Sequence, residues 1–166
     1  ALIGVASSGL QANGFTLVRR LFEHTLRKEF VAPTLDYYPH MMKLDSSYHA
    51  CAFVHITGGG YTRILNAIPC DVNALIHRSY LFLRQPIFHE IRSLGHLSDK
   101  EMYQTFNCGI GLIVGVPKAA AEACKRFIQK KFPCDIIGEV ISGSGHVIIE
   151  SAFSKKEVVY ARKENT

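Results

Sequence analysis

Apolar positions along this chain alternate between the short runs of strands and the three-to-four spacing of helices. Leu2 to Ala6 is an unbroken apolar run that predicts a buried strand. Phe15, Leu17, Val18, Leu21 and Phe22 form a helical stripe, with Asn13 placed as its N-cap. Pro33 is expected to open a second helix through about Leu44, with Tyr37, Met41 and Leu44 on one side. Ala50 to Ile56 reads as a buried strand. Gly58-Gly59-Gly60 turns it into a short helix ending near Ile68-Pro69, and Val72 to Ile76 reads as another strand. Pro86 begins a helix that stops at Gly95. Ser98-Asp99-Lys100-Glu101 has the form of a capping box, which predicts a helix running towards Asn107. Gly109 to Val116 alternates into a long apolar strand. Pro117 marks a helix start, with Ala120, Ala123, Cys124, Phe127 and Ile128 facing inward. Asp135 to Ile141 and His146 to Ser151 predict a closing hairpin across Ser142-Gly143-Ser144-Gly145. From Ser154 onward the chain is charged and expected to fray. The mixed order of strands and helices indicates an α+β or layered α/β domain.

Composition narrows this picture. A chain of 166 residues fits one domain and can bury roughly 70% of its unfolded surface. Apolar content of 48% and charged content of 20% are ordinary for a globular protein. No apolar run approaches the ~20 residues of a membrane span, and no signal peptide is visible, so no membrane partner is expected. The chain begins at Ala1 and enters a strand at once, as expected of a fragment or processed product whose upstream part is absent. The formal charge is +5, but the basic residues are scattered, with short groups at Arg19-Arg20, Lys130-Lys131 and Lys155-Lys156. A nucleic-acid face needs them clustered, so nucleic acid is not an expected partner. A mild positive field still favours a phosphorylated small molecule. The cysteines are odd in number and have no CxxC spacing, which suits reduced, buried thiols in a cytoplasmic protein. The eight histidines form no HxxxH or HxH pair, and no metal site is expected from this chain alone.

Two glycine-rich turns carry the candidate chemistry. The first is Ser7-Ser8-Gly9-Leu10-Gln11-Ala12-Asn13-Gly14, and the second is His55-Ile56-Thr57-Gly58-Gly59-Gly60. Each follows an apolar strand and opens a helix, an arrangement that presents free backbone N–H groups and a positive dipole end to an anion, usually phosphate. Ser7, Ser8 and Asn13 add polar groups at the first turn, and the plainer reading there is an ordinary strand–helix turn capped by Asn13. Three consecutive glycines are entropically costly, and close approach of backbone to a ligand or another strand explains them. Thr57 adds a hydroxyl. His55, at the strand end, suits an acid, a base or a hydrogen-bond donor, or else a satisfied core residue. Thr105-Phe106-Asn107-Cys108-Gly109-Ile110-Gly111 joins a helix to a strand, with Asn107 a candidate C-terminal cap. Cys108 has no neighbouring histidine or lysine and reads as a small hydrophobe. There is no GxxxxGK[ST] phosphate loop and no tight carboxylate group of the kind Mg²⁺–nucleotide sites use.

These residues match a known pattern. The chain resembles the C-terminal domain of the aminoimidazole ribonucleotide synthetase family, also called phosphoribosylformylglycinamidine cyclo-ligases. The matching blocks are Gly4-Val5-Ala6-Ser7-Ser8-Gly9, Asn13-Gly14-Phe15, Ala32-Pro33-Thr34, His55-Ile56-Thr57-Gly58-Gly59-Gly60, Pro86-Ile87-Phe88, Glu101-Met102-Tyr103, the Thr105 to Gly111 segment and Ile137-Gly138-Glu139-Val140. They run in family order from Leu2 to about Glu150. The resemblance implies a layered α/β/α domain with a mixed sheet and partial ferredoxin-like topology. It spans residues 1–153, followed by a charged tail at 154–166. It also implies a cytoplasmic, dimeric enzyme of purine synthesis. ATP and Mg²⁺ would activate the amide oxygen of formylglycinamidine ribonucleotide, and an amidine nitrogen would then close the imidazole ring of aminoimidazole ribonucleotide.

The family's N-terminal domain, absent here, carries most of the ATP site and the dimer contact, so the isolated chain is expected to turn over nothing measurable. His55 is then the candidate catalytic residue. Ser7, Ser8, Gly9, Gln11, Asn13, Gly14, Thr57, Gly58, Gly59, Gly60, Thr105 and Asn107 are the candidate substrate and phosphate contacts. Three positions in two segments depart from the family pattern. Gln11 and Ala12 stand where histidine and serine are usual, and Leu35 stands where arginine is usual. Glutamine hydrogen-bonds a phosphate but does not titrate near pH 7. The alternatives are a non-catalytic phosphate-binding module and a sister ATP-dependent enzyme of the same superfamily.

Overall fold

The computed structural model describes residues 1–23, 25–78 and 85–162. Its strands are β1 (Leu2–Ala6), β2 (Ala52–His55), β3 (Val72–Ile76), β4 (Ile110–Gly115), β5 (Cys134–Ser142), β6 (Val147–Glu150) and β7 (Glu157–Tyr160). They form one sheet in the order β2-β4-β1-β5-β3-β6-β7. The helices are α1 (Phe15–Phe22), α2 (Lys28–Val31), α3 (Tyr38–Tyr48), α4 (Pro86–Leu94), α5 (Asp99–Thr105) and α6 (Ala121–Gln129), with a 3₁₀ helix at Gly60–Asn66.

Alternation along β1 explains the layering. Leu2 and Ala6 enter one core with Val18 and Phe22 of α1, Phe88 and Ile91 of α4, and Met102 and Tyr103 of α5. Ile3 and Val5 enter the opposite core with Leu44 of α3 and Cys124 and Ile128 of α6. A sheet buried on both faces needs apolar residues at successive positions, which is why β1 reads as an unbroken run. The domain is therefore α+β, with helices on both faces of a mixed sheet. Strands β2-β4-β1-β5 pair antiparallel throughout, and α3 and α6 cover one face of them. That is the βαββαβ split arrangement of a ferredoxin-like unit. β3, α4 and α5 are inserted between its second and third strands, and β3, β6 and β7 widen the sheet.

Several local expectations are corrected. β5 and β6 do not form a hairpin. β3 lies between them, antiparallel to β5 and parallel to β6. The Ser142–Gly145 turn wraps the start of β3 instead: Gly143 N–H donates to Asp71 O (3.0 Å), and Ser144 and His146 N–H both donate to Asn73 Oδ1 (2.9 Å each). The local hairpin is β6–β7, so residues expected to fray include a strand; residues 163–166 lie outside the described residues. Pro33 does not open a helix. The preceding Ala32 is extended, as a residue before proline prefers, and α3 begins only at Tyr38 with Pro39 in its first turn. Gly14, at φ 78°, is the N-cap of α1, and Asn13 makes no side-chain cap bond there. Phe106, not Asn107, caps α5. β2 is an edge strand, which leaves Cys51 and His55 exposed. Cys70 is exposed as well, while Cys108, Cys124 and Cys134 are buried. Among the described residues no helix is long and apolar enough to cross a membrane.

The expected capping box is present, with Ser98 Oγ accepting from Glu101 N–H and Glu101 Oε2 accepting from Ser98 N–H at 2.8 Å. Beside it, buried Asp99 accepts from Arg92 Nε (2.9 Å) and from Ser154. Burial alone would raise the Asp99 carboxyl, but hydrogen bonds from Ser151, Ser154 and Arg92 outweigh it and hold the group below its ordinary range. A depressed folded-state value stabilises the fold above the unfolded-state value of ~3.9, and that contribution disappears as pH falls through the folded-state value. Urea titrations between pH 7 and pH 3 should therefore show a steeper acid-side loss in the native chain than in Asp99→Asn. The variant should also be about 2 kcal/mol less stable at pH 7. Matching acid limbs would refute this role.

Candidate functional site

The first turn is built around Asn107. Asn107 is 1% exposed, and its side chain ties the first turn to the start of β4. Asn107 Oδ1 accepts from Ser7 Oγ and Gly109 N–H, both at 2.9 Å, and Nδ2 donates to Gly9 O (2.9 Å) and Leu10 O (3.2 Å). Tyr61 Oη donates to the Asn107 carbonyl (3.0 Å), tying the 3₁₀ helix of the second turn to the same residue. Ser7 N–H donates to Gly109 O (2.9 Å), and Gln85 Nε2 donates to Ser7 O (2.9 Å). Ser7 and Asn107 are thus committed to holding the turn. Ser8 is half-buried and donates to Pro33 O (2.6 Å). Gly9, at φ 140°, packs so close to Glu29 that an added Cβ would stand 2.5 Å from its carbonyl oxygen.

Gln11 adopts a positive φ of 57° and is 5% exposed. Its Nε2 donates to Tyr37 Oη (3.1 Å), and its Oε1 has no hydrogen-bond partner among the described residues. Tyr37 Oη in turn donates to Ala6 O (2.7 Å) at the end of β1. Burial pushes the Tyr37 phenol up to about 12, against a smaller opposing effect from Gln11, so the hydroxyl stays protonated.

The second turn stands beside the first. A Cβ on Gly58 would lie 3.6 Å from Asn13 Oδ1. Gly58 and Gly59 are exposed, and among the described residues their N–H groups have no acceptor in the protein. Gly60 is buried against α5, and its N–H donates to Thr57 O (2.8 Å). Thr57 is half-buried. Arg63 reaches back to donate from Nη1 to Gly58 O (3.0 Å), bringing an exposed guanidinium to the turn. His55 lies on the edge strand, edge-on to the Tyr37 ring at 5.8 Å. Although the residue is exposed overall, partial shielding of its ring, with the charge of Arg63 adding to it, holds the imidazole below its usual value, which favours the neutral form at pH 7. Thr105 ends α5, half-buried.

The fold therefore brings Asn13, Gly58, Gly59 and Arg63 to one surface and sets His55 at the end of the adjoining edge strand. Ser7, Gln11 and Asn107 lie beneath, within the scaffold. Cys108 is buried and its thiol pushed well up by burial, in keeping with a packing role. Sequence reading missed Arg63, Gln85, Tyr61 and Tyr37. Tyr37 had only a helical stripe as its signal, and the others had none. No group of three or more His, Cys, Asp or Glu side chains placed to hold a metal ion is found among the described residues.

The family described as AIR synthase related protein, C-terminal domain, matches residues 1–150. The phosphoribosylformylglycinamidine cyclo-ligase of Alkaliphilus metalliredigens (strain QYMF) is 33% identical over 165 residues, which cover 89% of this chain and 47% of that protein. The trifunctional purine biosynthetic protein adenosine-3 of Gallus gallus is 33% identical over 168 residues, covering 90% of this chain and 17% of that protein. The chain thus spans about half the length of the cyclo-ligase it matches. Among solved structures, E. coli HypE, a hydrogenase maturation protein, shares the fold with a TM-score of 0.61 at 19% identity, covering 99% of this chain and 50% of that one.

Proposed function

Because the chain belongs to the AIR synthase related protein family as its C-terminal domain, we propose that it is the C-terminal half of a cytoplasmic, homodimeric cyclo-ligase of purine biosynthesis. The reaction is the ATP-dependent ring closure of formylglycinamidine ribonucleotide. The γ-phosphoryl group of ATP moves to the amide oxygen, leaving ADP. An amidine nitrogen then attacks the activated carbon, loses a proton, and phosphate departs with that oxygen. On this half, the free N–H groups of Gly58 and Gly59 receive phosphoryl or ribose-phosphate oxygens, with Arg63 supplying charge beside them. Neutral His55 accepts the amidine proton. ATP contacts, and the ligands of the Mg²⁺ that would screen its phosphates, come mainly from the N-terminal domain.

The observation carrying this reading is that the second glycine turn packs beside the first, where a Cβ added to Gly58 would lie 3.6 Å from Asn13 Oδ1. It sets Gly58, Asn13 and Arg63 at one surface patch instead of on separate faces. Complementation of a purine-requiring strain by the full-length gene tests it, and failure despite soluble expression would count against the enzyme. Calorimetry of that protein with substrate and with ATP separates the enzyme from a binding module, since a module binds without turnover.

His55→Ala in the full-length protein should lower kcat by about 100-fold, the lower range for loss of a positioned acid–base group. The edge position of His55 should keep the melting temperature nearly unchanged. A kcat within twofold of the native value would remove His55 from proton transfer.

A further inference from the structure

Tyr37 joins the two halves of the site, although its sequence context shows only a helical apolar stripe. It is the N-cap residue of α3, immediately before the first helical residue Tyr38. Its side chain is 4% exposed. The hydroxyl donates to Ala6 O at the end of β1 and accepts from Gln11 Nε2 in the first turn. The ring meets His55 edge-on at 5.8 Å and Phe132 at 5.3 Å. β4 makes room for it: a Cβ on Gly111 would lie 2.1 Å from Tyr37 Oη and 2.9 Å from Gln11 Nε2. The same Gly111 carbonyl accepts Ile56 N–H (2.9 Å), the residue between His55 and Thr57. One side chain therefore touches the entry to each turn at the point where backbone must approach closely.

We propose that Tyr37 is a positioning residue, holding the first glycine turn through its hydroxyl and His55 through its ring so that the two keep one relative placement. This inference rests on the cyclo-ligase reading for its catalytic consequence, but not for its geometry. Misplacement of a reacting group by about 1 Å costs on the order of 100-fold in rate. The hydroxyl and the ring make separable contributions, which a substitution series resolves.

The test uses Tyr37→Phe and Tyr37→Leu, read in two ways. In the isolated chain, NMR follows the His55 imidazole through pH and the Gln11 side-chain amide signals. Tyr37→Phe should leave the His55 titration midpoint in place and shift the Gln11 amide signals. Tyr37→Leu should raise the midpoint, because the ring shielding His55 from water is gone. In the full-length protein, kcat should fall about tenfold in Tyr37→Phe and about 100-fold in Tyr37→Leu, with KM changed less than threefold. A folded Tyr37→Leu with an unmoved His55 midpoint overturns the proposal, as does Tyr37→Phe with unmoved Gln11 signals. If Tyr37→Leu does not fold, Tyr37→Phe carries the test through the Gln11 signals and kcat. A full-length native protein without ring-closing activity would sink the functional reading alone, and the NMR arm would still decide the role of Tyr37.

Discussion

Asn107→Leu is expected to cost the domain about 4 kcal/mol and to lower its melting temperature by roughly 10 °C. Leucine fills a similar volume, so packing changes little. What it removes is every bond of the side-chain amide. Gly109 N–H, Gly9 O and Leu10 O lose a partner inside the protein, and Ser7 Oγ loses its acceptor. A buried polar group without a partner costs about 1–3 kcal/mol, and partial rearrangement keeps the sum below the arithmetic total. Asn107→Asp separates the two sides of the amide. It keeps an acceptor for Ser7 and Gly109, but it sets a carboxylate against the Gly9 and Leu10 carbonyls. Its loss should be comparable at pH 7 and smaller in acid, where the protonated carboxyl donates one bond. Urea denaturation of the isolated chain measures both. A loss below about 1 kcal/mol for Asn107→Leu would show that the first turn does not depend on this amide.

Gly60→Ala should be nearly as damaging, at about 3 kcal/mol, whereas Gly58→Ala two positions earlier should be almost silent in stability. At Gly60 an added Cβ would stand 2.1 Å from the Tyr103 carbonyl oxygen and 2.9 Å from the Gln104 carbonyl, both backbone atoms of α5. The φ of 54° adds strain for any residue with a Cβ. Relief requires the 3₁₀ helix and α5 to separate, and their contact includes the fully buried pair Tyr61 and Tyr103, with ring centroids 5.1 Å apart. At Gly58 the nearest atom to an added Cβ is Asn13 Oδ1 at 3.6 Å, an ordinary contact. Thermal melts of the two variants check the contrast. Equal losses would mean that the triple glycine serves packing along its whole length. The predicted asymmetry assigns the packing demand to Gly60 and leaves Gly58 and Gly59 free to face a ligand.

The candidate site was legible in part. Glycine followed by helical spacing located both turns, because few other arrangements justify the entropic cost of Gly58, Gly59 and Gly60. The roles of the polar residues around them were not legible. Asn107, Ser7 and Gln11 look like ligand contacts in a linear chain. Their partners are Gly109, Gly9, Leu10 and Tyr37, and for Ser7 and Asn107 the contact spans 100 residues. Tyr37 carried the spacing of a core helix residue, and only the fold brought its hydroxyl to Ala6 O at the end of β1 and to Gln11.

Local chemistry by itself determined the capping box at Ser98, the strands β1, β3 and β4, the α4 segment from Pro86 to Gly95, and the glycine turns. Each depends on residues within one or two turns of chain, where spacing, caps and backbone freedom dominate. Only the tertiary structure decided that β3 enters between β5 and β6, that β7 continues the sheet, and which polar side chains support the turns and which face outward. Those outcomes depend on contacts between segments far apart in sequence. There, burial of Ala74 and Ile76 and satisfaction of Asn107 outweigh any preference of the nearby chain.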